Sequence, residues 1–288
     1  MLRAARAAPR LLGDSTPLVV DFLCSQMNAD GGFKDRAGQS DLYYSVFGME
    51  SLMALDGQLP CGLIRDYLHG FANGANLDLV HLSCLARCWS NLPDTMHSAV
   101  PRDEILNRVE SHRSADGGYS PARGAAHGTI YACFVAAGAY ENFNAPMPNS
   151  AAMLDCLRAM RCEDGGYANQ HDVALAMTPT TSAAAMLLEY LRQPPDPQVA
   201  PWLLARFCQQ GGCMASVDAP MPDLLSTATA LHALCALGVD LAPLREQTLD
   251  FIDSLWTSKG GFYGNWGDDQ LDCEYTYYAL LALGHLSP

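Results

Sequence analysis

Polar residues that could do chemistry recur at one kind of place in this sequence, at the start of segments that are apolar nearly all round. Carboxyl and imidazole groups often act as general acids and bases. An acid at this place can equally be a helix N-cap, which accepts a hydrogen bond from the backbone. Both interpretations stay open for each residue alone. The residues are Asp41, Asp78 with His81, His127, Thr180, Asp223, and Asp272 with Glu274.

A short loop that precedes each of these segments sets their spacing. It reads Asp-Gly-Gly-aromatic or a close variant, and its first glycines are Gly31, Gly117, Gly165, Gly211 and Gly260. The first interval, 86 residues, is nearly double the later ones of 46 to 49 residues. A worn copy near Gly74 would complete six repeats, and a fixed period of this length is typical of repeat architectures.

Each repeat reads as helix, turn, helix. Paired glycines suit a helix C-cap and a turn with positive φ. The second helices are the more apolar ones, so we expect them to be buried as an inner ring, with the first helices outside. Their N-termini would converge at one mouth, which favours an anionic ligand. The predicted second helices are 41–55, 77–91, 128–140, 179–191, 224–237 and 273–286.

The Gly-Gly-aromatic loop at this period resembles the repeat of protein prenyltransferase β subunits and of squalene and terpene cyclases. The resemblance covers nearly the whole chain. It implies an all-α fold, an α6/α6 barrel that residues 1–288 form as one domain, with an apolar central cavity. It also implies an isoprenoid diphosphate or a polyprenyl lipid as ligand. A helical-repeat α subunit would be the partner by this resemblance, and a homodimer is the alternative.

The third repeat carries the segment that points to a diphosphate. His127-Gly128-Thr129 resembles the His-Gly-Gly segment of the prenyltransferase β subunits, whose His contacts the isoprenoid diphosphate. Arg123, four residues earlier, could join His127 on a phosphate. A His that merely begins a buried helix is the alternative. Mg²⁺ could accompany the diphosphate.

The sixth and first repeats resemble the family's zinc segments but lack the zinc ligands. Asp272-Cys273-Glu274 aligns with Asp-x-Cys and puts Glu274 in the place of the thiolate, while Tyr44 stands where the family has His. In the fifth repeat Leu225 occupies a place that would need Cys. Thiolate and imidazole are the ligands that suit zinc. Zinc is therefore implied by the family, but we assign no metal ligand.

The same segment of the sixth repeat also resembles the Asp-x-Asp-Asp-Thr-Ala motif of class II terpene cyclases. That resemblance implies that Glu274 protonates an alkene. Such a carboxyl needs desolvation and a neighbouring acid to stay protonated, and Asp272, Asp41 and Asp223 could supply the neighbour. The run from Asp268 to Asp272 also spells a metal-diphosphate motif of class I synthases, which we take as a chance match in a Gly-rich loop.

Aromatic residues on the second helices are expected mostly in the core, with some lining the cavity. Their faces would suit a prenyl chain or stabilise a carbocation. The candidate substrate-binding residues of this kind are Tyr44, Phe47, Tyr131, Tyr275 and Tyr278, with Asp223 at the mouth.

Composition excludes some classes of function. The net charge of −14 argues against a nucleic-acid partner, because phosphate binding needs a basic face. No apolar run reaches the ~18 residues of a membrane span. Eleven scattered Cys read as core residues of a reducing compartment, so we expect a cytoplasmic protein. The Arg-bearing N-terminus is predicted to be a basic first helix, with a transit peptide as the alternative.

Three functions remain in view. The first is transfer of a prenyl group from an isoprenoid diphosphate to an acceptor, with the head group at His127. The second is a class II-type cyclase with Glu274 or Asp272 as general acid, for which Asp41 is the third candidate catalytic residue. The third is a non-catalytic isoprenoid- or lipid-binding barrel.

Overall fold

Helical hairpins repeat along the chain, as the Gly-Gly period predicts. The computed structural model describes residues 1–288, with all side chains except those of residues 98 and 99. Over these residues there are fourteen α-helices: α1 (Leu2–Ala5), α2 (Pro9–Leu12), α3 (Thr16–Ser25), α4 (Leu42–Ala54), α5 (Cys61–His69), α6 (Leu79–Ser90), α7 (Arg102–Glu110), α8 (Ile130–Asn142), α9 (Ser150–Ala159), α10 (Thr178–Tyr190), α11 (Val199–Leu204), α12 (Leu224–Ala236), α13 (Arg245–Ser254) and α14 (Cys273–Leu286).

Two short antiparallel ribbons connect helices in the first and fifth repeats. Strands β1 (Phe33–Lys34) and β2 (Ser40–Asp41) pair Phe33 with Asp41. Strands β3 (Cys213–Met214) and β4 (Pro222–Asp223) pair Cys213 with Asp223 in the same register. Each ribbon therefore brings the residue after the Gly-Gly turn beside the residue that begins the next helix.

The chain divides into two compact units. The first unit comprises Met1–Leu59 and Ala200–Pro288, and the second comprises Pro60–Val199. In the first unit α14 packs against both α4 and α12, and the short α1 packs on α4 and α14. The last repeat thus meets the first. Gly284 permits the contact with α1, because a Cβ there would lie 2.0 Å from the Ala4 carbonyl oxygen.

The second unit is built in the same way. Helix α8 packs between α6 and α10, and α7 covers α6 and α8. In both units the second helices of the hairpins are buried over most of their length, whereas the first helices expose one face. This is the division that the apolar composition of the second helices predicts. None of the helices in the part of the chain described is long and apolar enough to cross a membrane.

The first glycines of the fifth and sixth turns are needed for their backbone conformation and for space. Gly211 has φ +87°, and a Cβ there would lie 1.9 Å from the carbonyl oxygen of Gln247 in α13. Gly260 has φ +91°, and its Cβ would lie 2.2 Å from the carbonyl oxygen of Leu18 in α3. Only glycine meets both conditions without strain. The turns therefore pack directly on the backbone of neighbouring first helices.

A hydroxyl group ties each Gly-Gly turn of the first unit to the start of the following second helix. The amide of Cys213 donates to Thr227 Oγ1 (2.8 Å), and that hydroxyl donates to the carbonyl oxygen of Asp223 (2.7 Å). Ser45 and Thr276 make the same two bonds in the first and sixth repeats. The turn therefore fixes the residue at the helix N-terminus, which is where the polar side chains stand.

Candidate functional site

The acids at the starts of α4, α12 and α14 are N-caps. Asp41 accepts hydrogen bonds from the amides of Tyr43 (2.8 Å) and Tyr44 (3.2 Å). Asp223 accepts one from the amide of Ser226 (2.7 Å). The backbone before each helix is extended and the Asp is already aimed at the first turn, as an N-cap requires. The capping interpretation is therefore right for Asp41 and Asp223.

Asp272 is an N-cap as well, but its side chain has a second partner. Its Oδ1 atom accepts from the amide of Tyr275 (2.9 Å), and its Oδ2 atom accepts from Nε of Arg36 (2.8 Å). The same guanidinium bonds both carboxylate oxygens of Asp268, at 3.2 and 2.8 Å. Arg36 comes from the loop between β1 and β2, so this contact joins the first repeat to the sixth.

Glu274, in the first turn of α14, is a largely buried carboxyl. Tyr43 of α4 donates a hydrogen bond from its hydroxyl to Glu274 Oε1 (2.6 Å). Burial and the charge of Asp272 raise the pKa of Glu274 to about 7, against the lowering effects of Tyr43 and Arg36. The carboxyl therefore titrates near neutral pH rather than in the ordinary acidic range of glutamate.

We call the group of Arg36, Asp268, Asp272 and Glu274 the acid corner. Two tyrosines, Tyr44 and Tyr275, lie close enough for its charges to affect their pKa values. Burial raises the pKa of Tyr44 to about 12, helped by the charges of Asp272 and Glu274. Burial raises the pKa of Tyr275 to about 12 as well, and Arg36 Cζ lies 5.4 Å from the centre of its ring. Both phenols are therefore protonated and neutral at physiological pH.

An aromatic cluster adjoins the acid corner at Tyr43. The ring of Phe47 lies 4.9 Å from that of Tyr43, 5.6 Å from Tyr277 and 5.5 Å from Tyr278, measured between centroids. Phe47 and Tyr278 are buried. Tyr43 belongs to both groups, because its hydroxyl bonds Glu274 while its ring contacts Phe47. The Glu274 carboxyl is therefore linked to this cluster through the hydroxyl of Tyr43.

His127 lies in the second unit, with partners other than those expected from the sequence. Its ring stacks on His171 at 4.7 Å with an interplanar angle of 11°, and its Nδ1 atom is 3.5 Å from Asp116 Oδ2. The side chain is 54 % exposed. Arg123 approaches His112 (3.5 Å between Nε and Nε2), and no hydrogen bond joins it to His127 among the described side chains.

The start of α8 corrects the sequence prediction for His127. The predicted second helix began at residue 128, directly after His127, but α8 begins at Ile130. The reason is Thr129, whose hydroxyl oxygen accepts from the amide of Ala132 (3.0 Å) and makes it the N-cap. Tyr131, in the first turn, is 39 % exposed. His127 therefore precedes the helix rather than beginning it.

The sequence of each repeat matches one family of domains. The model of the prenyltransferase alpha-alpha toroid domain matches residues 14–76, 58–167, 89–187 and 149–287, which together span nearly the whole chain. The chain belongs to this family. The resemblance seen in the Gly-Gly loops is confirmed, and so is the predicted fold class, an all-α α/α toroid.

Solved structures with the toroid fold carry several chemistries. A type II terpene cyclase from Scytonema, MstE, in complex with geranylgeranyl dihydroxybenzoate is 16 % identical, with 97 % of each chain covered and a TM-score of 0.63. Protein geranylgeranyltransferase-I of Candida albicans, complexed with GGPP, is 13 % identical, with 92 % of this chain and 89 % of that chain covered and a TM-score of 0.70.

A polysaccharide-cleaving enzyme shares the fold as well. An α-1,6-mannanase of Salegentibacter in complex with α-1,6-mannotriose is 13 % identical, with 96 % and 98 % of the two chains covered and a TM-score of 0.63. No curated protein matches the toroid chain in sequence. At these identities the likeness concerns the fold alone, so the reaction has to be argued from the site.

Zinc, which the family resemblance implies, does not fit the residues of this toroid. Tyr44 is a protonated phenol, and Glu274 titrates near neutral pH. Both carboxylate oxygens of Asp272 already accept hydrogen bonds, from the amide of Tyr275 and from Arg36. Cys273 is fully buried, and burial raises the pKa of its thiol well above the ordinary value. Within the part of the chain described, no group of three His, Cys, Asp or Glu side chains could hold a metal ion.

Sequence reasoning missed Arg36 and set Asp268 aside. Arg36 stands in a polar loop, where a cation has no meaning until its partners are known. Those partners lie 232 and 236 residues away in the chain. One signal was available: the chain has only 17 Lys and Arg against 31 Asp and Glu, so a cation in a loop between capping acids is a candidate for pairing.

Proposed function

We propose that this toroid protein converts an isoprenoid substrate and that Glu274 is its general acid. The observation that carries the proposal is a largely buried carboxyl with a pKa of about 7 that accepts a hydrogen bond from the phenol of Tyr43, whose ring contacts Phe47. A general acid has to hold a proton at the working pH, and a pKa near that pH is the best compromise with acid strength. These features support proton-initiated cyclisation.

The reaction would begin with proton transfer from Glu274 to a carbon–carbon double bond. The π electrons form the new C–H bond, and the positive charge moves to the more substituted carbon. A second double bond of the same chain then attacks that carbon and closes a ring. Loss of a proton to solvent ends the reaction, and Glu274 takes a proton back from solvent for the next turnover. Aromatic faces stabilise cations, which suits Phe47 and Tyr43 to a place beside the intermediate.

Tyr43 has two tasks in this scheme. Its hydroxyl donates to Oε1, which leaves Oε2 of Glu274 to carry the proton. When the proton leaves, the same hydrogen bond stabilises the carboxylate and so increases the strength of the acid. Tyr43 is therefore a positioning residue, and Glu274 is the catalytic one.

Asp272 would remain a carboxylate next to Glu274. Burial raises its pKa above the ordinary value, and the amide of Tyr275 and the guanidinium of Arg36 oppose that rise by stabilising the charged form. Two neighbouring acids with different partners can divide the tasks of proton donor and charge stabiliser. The predicted catalytic roles of Asp272 and Asp41 then become electrostatic and structural, since both side chains cap helices.

Product analysis tests the proposal. The protein is incubated with geranylgeranyl diphosphate, farnesyl diphosphate or geranylgeranyl dihydroxybenzoate, and products are separated by mass spectrometry. We expect an isomer of unchanged mass with no acceptor present, and a loss of about 10² to 10⁴ in rate for Glu274→Gln. Glu246→Gln, at an exposed glutamate in the first turn of α13, is the matched control. No isomer from any substrate, or full activity of Glu274→Gln, contradicts the proposal.

Prenyl transfer is the second candidate, and the stacked pair of His127 and His171 supports it. Both rings are exposed and carry N–H groups that can donate hydrogen bonds to a diphosphate. In this case binding of geranylgeranyl diphosphate, with or without Mg²⁺, is weakened by His127→Ala and left unchanged by Glu274→Gln. The partner subunit, the homodimer and the central apolar cavity expected from the resemblance stay predictions.

A further inference from the structure

The guanidinium of Arg36 lies between two carboxylates, in a position that a metal cation could also occupy. Its Nε atom lies 2.8 Å from Asp272 Oδ2, and its Nη2 atom lies 2.8 Å from Asp268 Oδ2. We infer that Arg36 is a built-in counter-ion that takes the place of a divalent cation in the acid corner and closes the corner to metals.

The burial of Asp272 explains why a counter-ion is needed. Its side chain is 2 % exposed, whereas that of Arg36 is 36 % exposed. A carboxylate so deeply buried is costly unless it is paired and hydrogen-bonded. The guanidinium enters from the solvent side and reaches two carboxylates at once, which its planar fork allows and an ammonium group does not. The pair therefore satisfies the charge without a metal.

The acceptor oxygens of the corner are already used. Asp272 accepts a hydrogen bond from the amide of Tyr275 with one oxygen and from Arg36 with the other. Asp268 accepts from the amides of Gly264 (3.2 Å) and Gln270 (3.3 Å) in addition to Arg36. A divalent cation needs several oxygens that face one point, and that point is held by the guanidinium. Metal binding would require Arg36 to leave.

Removal of Arg36 should therefore create a metal site. Asp268 and Asp272 would remain as hard oxygen ligands of the kind that Mg²⁺ and Mn²⁺ prefer, and water would complete the coordination shell. The inference concerns charge and donor geometry alone, so it stands or falls apart from the role of Glu274 as an acid. A failed cyclisation assay would leave it intact.

Mn²⁺ binding tests the inference, followed by the paramagnetic resonance of the free ion. We expect no binding to the corner of the wild type, and an affinity on the order of tenfold to a hundredfold higher for Arg36→Ala, because a nearby positive charge is gone. Adding Asp268→Asn to that variant should abolish the gain. Arg65→Ala, which removes an exposed arginine paired with Asp66, is the matched control and should gain nothing.

Two outcomes overturn the inference. The first is Mn²⁺ binding to the wild type that Asp268→Asn abolishes, since the corner would then be a metal site already. The second is a folded Arg36→Ala protein that gains no affinity. If Arg36→Ala does not fold, Arg36→Gln keeps hydrogen-bond donors but removes the charge, and the same two readings apply to it. Circular dichroism of each variant establishes that it is folded.

Discussion

The hydroxyl of Tyr43 donates a hydrogen bond of 2.6 Å to Oε1 of Glu274, across the contact between α4 and α14. The two residues come from the first and the last repeats, 231 positions apart. The bond stabilises the charged form of Glu274 against a burial effect that favours the neutral form. The protonation of Glu274 therefore depends on how these two helices meet.

Tyr43→Phe should raise the pKa of Glu274 above about 7, because the variant loses a donor to the carboxylate. A hydrogen bond to a charged group contributes about 1.5 kcal/mol, which corresponds to roughly one pH unit. Carbon NMR of labelled glutamate would follow the titration without any substrate. In the pH–rate profile, the alkaline limb should move to higher pH while the maximal rate falls. A shift of the titration curve or of the alkaline limb to lower pH would contradict the role given to Tyr43.

Glu274→Gln should stabilise the protein at alkaline pH. The folded pKa is raised above the ordinary value of 4.5, so the wild type loses stability as the pH rises from about 4.5 to about 7, and the cost is fully present above that range. The shift corresponds to about 3 kcal/mol. Urea unfolding should show the variant more stable at pH 8 and equal to wild type near pH 4. Equal stability at both values would count against a buried, partly neutral Glu274.

Arg36→Ala should destabilise the protein by about 2 kcal/mol or more, because it leaves the buried carboxylate of Asp272 without its partner. Arg36→Lys should recover only part of this loss, since an ammonium group cannot bond both Asp268 and Asp272 in the same geometry. Chemical unfolding at neutral pH measures the difference. Arg65→Ala serves as control and should change the free energy of unfolding by less than about 0.5 kcal/mol.

Acid should destabilise the protein through His232 and His285. Nδ1 of His232 lies 2.9 Å from Nε2 of His285, and burial lowers the two pKa values to about 3 and about 4. Both rings are neutral when folded. Stability is therefore lost as the pH falls below about 6.5, by roughly 2 kcal/mol for each ring at pH 5.

Glu274 acts in the opposite direction between pH 7 and pH 4.5, so wild type alone cannot isolate the histidines. The comparison is between wild type and His285→Gln, which removes one titrating ring and keeps a polar side chain. We expect the difference in unfolding free energy between pH 7 and pH 5 to shift by about 2 kcal/mol in favour of the variant at pH 5. An unchanged difference would mean that the rings are not buried as neutral groups.

Thr227→Val should cost about 2 kcal/mol, although it keeps the shape of the side chain. The hydroxyl links the amide of Cys213 to the carbonyl oxygen of Asp223, and its loss leaves a buried donor without a partner. Thr227→Ser keeps the hydroxyl and is the matched control, because Ser45 does the same work in the first repeat. Thermal unfolding of the two variants decides between a structural hydroxyl and a passive one.

Local patterns predicted the helices and the caps. The Gly-Gly loops located every turn, and the apolar segments located the second helices to within about two residues. The misses have local causes, as at α8, where Thr129 was not recognised as the cap. Asp41, Asp223 and Asp272 were recognised as N-cap candidates because capping depends only on the next three residues.

Contacts between residues that are far apart in the chain could not be predicted from the sequence. In the sequence, Arg36 is part of a polar loop and Asp268 is part of a chance motif. Their roles became visible only when the structure showed the ion pair between them. The expected neighbour of His127 was Arg123, four residues away, whereas the structure pairs His127 with His171 and Asp116. Proximity in sequence was a poor guide there, since an irregular loop has no fixed period to relate side chains.

The sequence by itself determined the repeat, the approximate helix boundaries and the acids that cap the helices, because these follow from periodicity and from short-range hydrogen bonds. The toroid family came from the resemblance of the Gly-Gly loops to a known repeat. The tertiary structure alone decided that Tyr43 meets Glu274 and that Arg36 meets Asp272. Burial and charge pairing act through space, and both contacts exist only because α14 packs on α4 at the junction of the last repeat with the first.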